Sequence, residues 1–536
     1  MLFAFSLLSI LFSTQRTAAQ KTPHKVTWTS HQGALAAGQD LPGTPKMATV
    51  SEAEEFCGSS NLCVGFTFAS NVSVPSLPVK TYFKMSYDGN TSPGWYSYTR
   101  PMPWQRPLVK VVMNTPARAK GAVCLDGSPG AFYWGRALDP TLATSWVIFF
   151  EGGGWCYSEA DCANRARTDL GSSVSYPPTI TQARYKAGIF GPNPSQNPDF
   201  AGANHVYLKY CDGNSFSGDR EKPVKTTAGV TLHFRGKRIL DAVLDTLAMD
   251  PTYNLSEASD VLLTGCSAGG LSTYLHADYI GERLDVLAPN LQRYKAAPCS
   301  GFFLDHPNAE GLPVYTQQMK AIFALSNATA GMNAACIAAH SPTGDQWKCN
   351  LAQYTYAHVQ TPIMVLNSAL DCWSTGCILA AEREAPGASQ NGNCSASTAF
   401  PKGCACYGCA IERTCSASAF QRFQDWEHSF LEALTAPATY HKPGNGAFIY
   451  SCYTHCAGSQ SLFNSIEVDG VTMQAAVSAW WNDATTTHNY SPCRWIGPGQ
   501  QQCNPSCPWA GDRTLEVTEA WQVGENFLAD YHPHYL

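Results

Sequence analysis

Charge is scarce in this chain. Only 14% of its 536 residues are Asp, Glu, Lys or Arg, and the formal net charge is −6. No basic run exceeds a few residues, and no stretch interleaves aromatic with basic side chains. That excludes a protein that binds nucleic acid by neutralising phosphates. Long apolar runs are scarce as well. Met1 to Phe12 is about a dozen residues, where a bilayer-spanning helix needs roughly 20. No second such stretch and no hydrophobic C-terminal tail of the lipid-anchor kind follows, so the mature protein reads as soluble. No internal repeat is evident. The 44% apolar share is still ample for a sizeable core, in a chain longer than one ordinary domain.

Cysteine, by contrast, is plentiful. The apolar start followed by Thr17-Ala-Ala19 predicts a secretory signal peptide over 1–19, with small residues at −3 and −1 of the cleavage site. The 22 cysteines agree with an oxidising, extracellular destination. Close spacings occur at Cys57/Cys63, Cys156/Cys162, Cys372/Cys377, Cys452/Cys456 and Cys503/Cys507, but connectivity is not deducible from them. The run Cys404-Ala-Cys-Tyr-Gly-Cys409 reads as disulfide-forming rather than as a metal knuckle. His532-x-His534 lacks a second pair of ligands. No metal and no cofactor is therefore expected. Sequons at Asn71, Asn90, Asn254, Asn327, Asn393 and Asn489 fit a secreted glycoprotein.

Residues 20–103 are rich in Ser, Thr, Gly and aromatics, with short alternating runs such as Cys63 to Phe68 and Lys80 to Lys84. They predict a small β-rich module that resembles apple/PAN-like modules, which bind carbohydrate or protein. Its Trp28, Tyr82, Trp95 and Tyr96 either stack on sugar rings or form the module's own core. A Pro-rich stretch ends in a linker over 104–108. From 109 to 536 short, near-continuous apolar runs (Ser145–Phe150, Val206–Leu208, Val261–Leu263, Pro362–Leu366) alternate with helical periodicity, as in Arg238–Ala248. Strands of that kind are covered on both faces, so the reading is a doubly wound, mostly parallel α/β sheet. A Cys-, Ala- and Ser-rich insertion lies near 373–420.

The most informative segment is Val261-Leu-Leu-Thr-Gly-Cys-Ser-Ala-Gly-Gly270. An apolar strand runs into G-x-S-x-G, and Leu271 to Ile280 reads as the helix that follows. This is the pattern of a nucleophile elbow, which presents the Ser267 hydroxyl at the sheet's edge. A serine hydroxyl is a weak nucleophile and needs a base, oriented in turn by an acid. Chain order in an α/β-hydrolase is Ser, acid, His. Asp371 follows the run Pro362–Leu366 by five residues, at the carboxyl end of a predicted parallel strand. Asp345, Asp425 and Asp469 lack such a strand and read as surface residues. His455 follows the apolar run Ala447–Tyr450 and is flanked by Cys452 and Cys456. His428 falls in an amphipathic helix, Gln421 to Leu434. The loop Glu151-Gly-Gly-Gly-Trp-Cys156 follows a strand and can turn backbone N–H groups toward an oxyanion, and no Gly-Lys-Ser/Thr marks it as a phosphate loop.

Together with Cys124–Pro129, Tyr210-Cys-Asp-Gly-Asn-Ser-Phe-Ser-Gly-Asp219, Phe234–Arg238 and Cys503–Cys507, these motifs occur in the order of the pectin acetylesterase family, which includes the Notum-type carboxylesterases. The chain resembles that family over roughly 108–510. The resemblance implies an α/β-hydrolase-like fold and a triad at Ser267, Asp371 and His455. It places the oxyanion donors on the backbone N–H groups of Gly153, Gly154 and Ala268. The implied activity is a secreted serine carboxylesterase acting on an acetylated polysaccharide such as pectin. A Notum-like deacylase of a fatty-acylated protein is the alternative within the family. A non-catalytic glycan-binding or adhesion protein on a hydrolase scaffold is the alternative outside it.

Overall fold

The computed structural model describes residues 27–35, 40–41, 43–60, 63–84, 89–90, 92–100, 107–113, 120–180, 188–379, 417–483, 488–497 and 500–507. The signal segment, the run 404–409, Asn393, His532 and His534 lie outside these residues. The chain divides into two compact units after residue 101.

In the first unit β1 (Thr29–Gln32), β2 (Lys46–Ala48), β3 (Gly65–Ala69), β4 (Val79–Lys84) and β5 (Trp95–Thr99) form an antiparallel sheet in the order β1-β5-β3-β4-β2. Helix α1 (Val50–Gly58) opens on a capping box between Thr49 and Glu52. It lays Ala53 and Cys57 against Phe66, Phe68, Phe83 and Tyr98, and the Cys57–Cys63 disulfide closes this small core. Trp28 packs edge-on to Phe66 at 5.4 Å and Tyr96 borders the same core. Tyr82 and Trp95 instead pair with each other, 6.1 Å between centroids.

The second unit is built on a ten-stranded sheet. Its strands are β6 (Leu108–Val112), β7 (Ala131–Gly135), β8 (Ser145–Phe150), β9 (Thr179–Ile180), β10 (Asn204–Leu208), β11 (Asp260–Cys266), β12 (Arg293–Cys299), β13 (Met364–Ser368), β14 (Gly446–Tyr450) and β15 (His488–Tyr490). The spatial order is β9-β6-β7-β10-β8-β11-β12-β13-β14-β15. The first four strands are antiparallel neighbours, and every pairing from β10 to β15 is parallel. Alternation along each strand feeds two cores. Trp146, Ile148 and Phe150 of β8 face one core with Cys162 of α2 (Glu159–Arg165), Leu240, Val243 and Leu247 of α3 (Gly236–Met249) and Leu271 and Leu275 of α4 (Ala268–Leu287). Val147 and Phe149 face the other, with Met473, Val477 and Trp480 of α5 (Met473–Trp481). Both faces are covered, which is why these strands read as apolar runs without a polar phase.

Two expectations are corrected by the coordinates, and the disulfide partners left open by the sequence are now assigned. The helix expected over Leu271–Ile280 spans Ala268–Leu287, because the elbow turns β11 into α4 with no intervening loop. Leu108, assigned to the linker, opens β6 and is fully buried. Close sequence spacing pairs Cys57 with Cys63 and Cys156 with Cys162, but Cys452 bonds Cys507, Cys456 bonds Cys266 and Cys503 bonds Cys493. Loops that converge at one end of the sheet decide those partners. Among the described residues Cys336, His340 and His358 place ligating atoms within 4.8 Å of one another. Cys336 is bonded to Cys349, however, and has no thiolate to offer. No described helix is long and apolar enough to cross a membrane.

Candidate active site

Ser267 joins β11 to α4 with φ 61° and ψ −127°. A non-glycine residue there stores about 1–3 kcal/mol of strain and persists only where its surroundings hold it. The Ser267 N–H donates to the Cys299 carbonyl of β12 at 3.1 Å, and Leu271 N–H donates back to the Ser267 carbonyl at 2.9 Å. Ala268 is the first helical residue, so its N–H has no carbonyl four residues earlier to bond.

The glycine loop after β8 lies directly against this elbow. A Cβ on Gly152 would sit 2.9 Å from Ser267 Cβ and 2.4 Å from the Cys266 carbonyl oxygen, so no other residue fits. Gly153 and Gly154 follow with φ of 139° and 61°, a backbone that turns the loop back on itself. Gly152 was not among the expected site residues. The run of three glycines was its signal, but close backbone approach is a tertiary fact.

Asp371 and His455 meet. His455 Nδ1–H donates to Asp371 Oδ2 at 2.7 Å, and Ser374 N–H donates to Asp371 Oδ1 at 3.0 Å. Asp371 is 2% exposed and His455 8%. With Nδ1 engaged, His455 Nε2 is left buried and without a hydrogen-bond partner. Neighbouring bonds hold the two loops together: Ala369 N–H to the Tyr450 carbonyl at 2.8 Å and Cys372 N–H to the Thr454 carbonyl at 3.3 Å. Ser267 is tied to the same place by a disulfide between Cys266, the residue before it, and Cys456, the residue after His455, with Cα atoms 5.7 Å apart. Beside this bridge Cys299 is a buried thiol whose pKa burial pushes up to about 12, so it stays protonated and offers no thiolate for exchange.

Aromatic rings back the imidazole. Trp373 lies 6.4 Å from the His455 ring and Phe303 also 6.4 Å. Trp155 packs edge-on to both, at 5.6 Å from Trp373 and 5.1 Å from Phe303. Trp155 and Phe303 are almost fully buried. His428 lies on the helix Ala417–Thr435, and Asp425 and Asp469 are exposed at the surface.

With that geometry in hand, the profile of the family described as Pectinacetylesterase matches residues 105–508. The chain belongs to this family. It is 30% identical over 415 residues to pectin acetylesterase 5 of Arabidopsis thaliana, covering 76% of this chain and 87% of that protein. Pectin acetylesterase 11 of the same plant is 31% identical over 397 residues, covering 73% and 90%. The mouse palmitoleoyl-protein carboxylesterase NOTUM is 25% identical over 411 residues, covering 73% and 71%. Among solved structures, the Wnt deacylase Notum from Drosophila superposes with a TM-score of 0.58 at 23% identity, covering 75% of this chain and 100% of that one. The protein is thus a carboxylesterase with an α/β-hydrolase-like fold.

In this carboxylesterase the segment Tyr210–Asp219 forms a buried polar layer behind the glycine loop. Ser215 and Phe216 hold φ of 50° and 60°, and Asp212 Oδ1 accepts the Phe216 N–H at 3.0 Å. Burial pushes the Asp212 carboxyl up from 3.8 to about 6, against the pull of its N–H donors. Burial likewise pushes His276 of α4 down from 6.5 to about 4. The two act on stability with opposite signs. Asp212 stabilises most below pH 3.8, and its contribution is lost as pH rises through 6. That of His276 is full above pH 6.5 and is lost as pH falls toward 4. Each amounts to about 3 kcal/mol, so they largely cancel. Asp212→Asn keeps an acceptor but removes one slope. Its stability relative to wild type should therefore fall by about 3 kcal/mol between pH 7 and pH 4, read as urea midpoints at the two pH values. An unchanged difference would contradict the assignment.

Proposed function

We propose that this chain is a secreted serine esterase that removes O-acetyl groups from pectin or a related polysaccharide. The observation that carries the reading is the Asp371–His455 hydrogen bond at 2.7 Å, held beside Ser267 by the Cys266–Cys456 bridge. His455 Nε2 takes the Ser267 proton as Oγ attacks the ester carbonyl, and Asp371 stabilises the imidazolium that results. The N–H groups of Gly153, Gly154 and Ala268 receive the oxyanion, each worth about 3 kcal/mol by analogy with measured donors. His455 then returns the proton to the departing sugar hydroxyl. Water, deprotonated by the same imidazole, releases acetate from the acyl-enzyme and restores Ser267.

The close packing of Trp155 and Phe303 behind His455 supports a short acyl group. The same rings would suit the methylenes of a fatty acyl chain if they moved apart, which keeps the deacylase reading as the second. Membership in a carboxylesterase family sets the non-catalytic binder aside. The disulfides and sequons support secretion. In the first unit the Tyr82–Trp95 pair supports a carbohydrate-binding role.

Substrate class is tested by acetate release from acetylated polygalacturonan and xylan, alongside p-nitrophenyl esters from C2 to C16. The expected outcome is acetate release from a glycan, with kcat/KM falling at least tenfold beyond C4. A maximum at C14–C16 with no glycan deacetylation would establish the deacylase instead.

A further inference from the structure

The motif Tyr210–Asp219 has no part in the chemistry just described, yet Ser215 within it is completely buried and bonded through every polar atom it has. Its N–H donates to the Tyr210 hydroxyl oxygen at 3.0 Å. Its hydroxyl donates to the Ala268 carbonyl at 3.0 Å and accepts the indole N–H of Trp155 at 2.8 Å. Its carbonyl accepts from His276 Nε2 at 3.0 Å. Tyr210 is equally occupied. Its hydroxyl donates to the Gly154 carbonyl at 2.8 Å, and its N–H donates to Glu151 Oε2 at 2.8 Å. Burial keeps that phenol protonated, a constant donor.

These bonds run between the two segments that hold the oxyanion donors. Gly154 and Trp155 belong to the loop after β8, and Ala268 opens α4. Each carbonyl bonded is the one that follows a donor N–H, so fixing it fixes the rotation of the adjoining peptides. The Ala268 carbonyl also accepts from Ser272 Oγ at 2.8 Å and the Gly154 carbonyl from Arg165 at 3.4 Å. Ser215 and Tyr210 add the links that cross from one segment to the other. The left-handed backbone at Ser215 is strained for a serine and is retained where it puts the hydroxyl between Trp155 and Ala268.

We propose that Tyr210 and Ser215 are positioning residues that keep the two halves of the oxyanion hole in register. The inference rests on Ser267 as nucleophile and on Gly153, Gly154 and Ala268 as donors. Preorganised donors act on the transition state and not on the bound ester, so their misplacement lowers kcat and spares KM. A shift of about 1 Å in such a site lowers rate by roughly a hundredfold.

Two variants keep the test clear of misfolding. Tyr210→Phe removes one hydroxyl. Ser215→Gly removes the other, and glycine is at ease at φ 50°. For each, kcat and KM for p-nitrophenyl acetate are measured beside Ser267→Ala, together with thermal midpoint and affinity for an alkyl boronic acid that forms a tetrahedral adduct. The expected result is a tenfold to hundredfold fall in kcat with KM within about twofold, and boronate affinity falling by the same factor as kcat/KM. Wild-type kcat in both variants, with Ser267→Ala inactive, overturns the brace alone. A loss confined to thermal midpoint or to KM overturns it as well, since that marks a structural or ground-state role. An active Ser267→Ala overturns the nucleophile reading and this inference with it.

Discussion

Ser267→Ala should lower kcat for p-nitrophenyl acetate by about 10⁴- to 10⁶-fold while leaving KM nearly unchanged. Removing Oγ abolishes the covalent route, but the donors at Gly153, Gly154 and Ala268 still bind an oxyanion, so a residue of catalysis over water remains. Alanine accepts the φ of 61° no worse than serine does, and the site is 5% exposed. The far-ultraviolet circular dichroism spectrum should therefore match wild type. Labelling by a fluorophosphonate probe should vanish in the variant. Turnover within tenfold of wild type would refute the nucleophile assignment.

Asp371→Asn should lower kcat by about 10⁴-fold, with the imidazole in place. The asparagine oxygen can still accept from Ser374 N–H, as Asp371 Oδ1 does at 3.0 Å. That leaves the amide NH₂ facing His455 Nδ1, where a carboxylate oxygen now sits at 2.7 Å. Nδ1 must then become the acceptor, which moves the ring proton to Nε2, the atom needed to receive the Ser267 proton. The variant is folded and holds the wrong tautomer. The check is kcat together with the rate of fluorophosphonate labelling, and both should fall in parallel. A decline below tenfold would show that Asp371 does not orient the base.

Much of this site is legible in one dimension because its parts sit at strand ends. The run Val261–Leu263 followed by G-x-S-x-G marks the elbow through local sterics alone, and Asp371 and His455 stand at fixed short distances past apolar strands. Helix and strand limits were less legible. Elements continue wherever hydrogen bonds continue, so β11 reaches Cys266 and α4 begins at Ala268. The long-range disulfide partners were not legible, since Cys266 and Cys456 are 190 residues apart. Nor was Ser215, a small polar residue whose partners beyond its own motif lie on the glycine loop and on α4.

What the amino-acid order determined unaided is the inventory: cysteines enough for many disulfides, a doubly covered, mostly parallel sheet, and Ser267, Asp371 and His455 in hydrolase order. These follow from composition, from periodicity and from the steric demands of short turns, all of which are local. The folded arrangement alone decided which cysteine clamps Ser267 beside His455. It likewise set how closely Gly152 approaches Ser267, and which buried hydroxyls tie the glycine loop to the helix. Those are distances between segments far apart in the chain, and only the packing of the sheet's two faces specifies them.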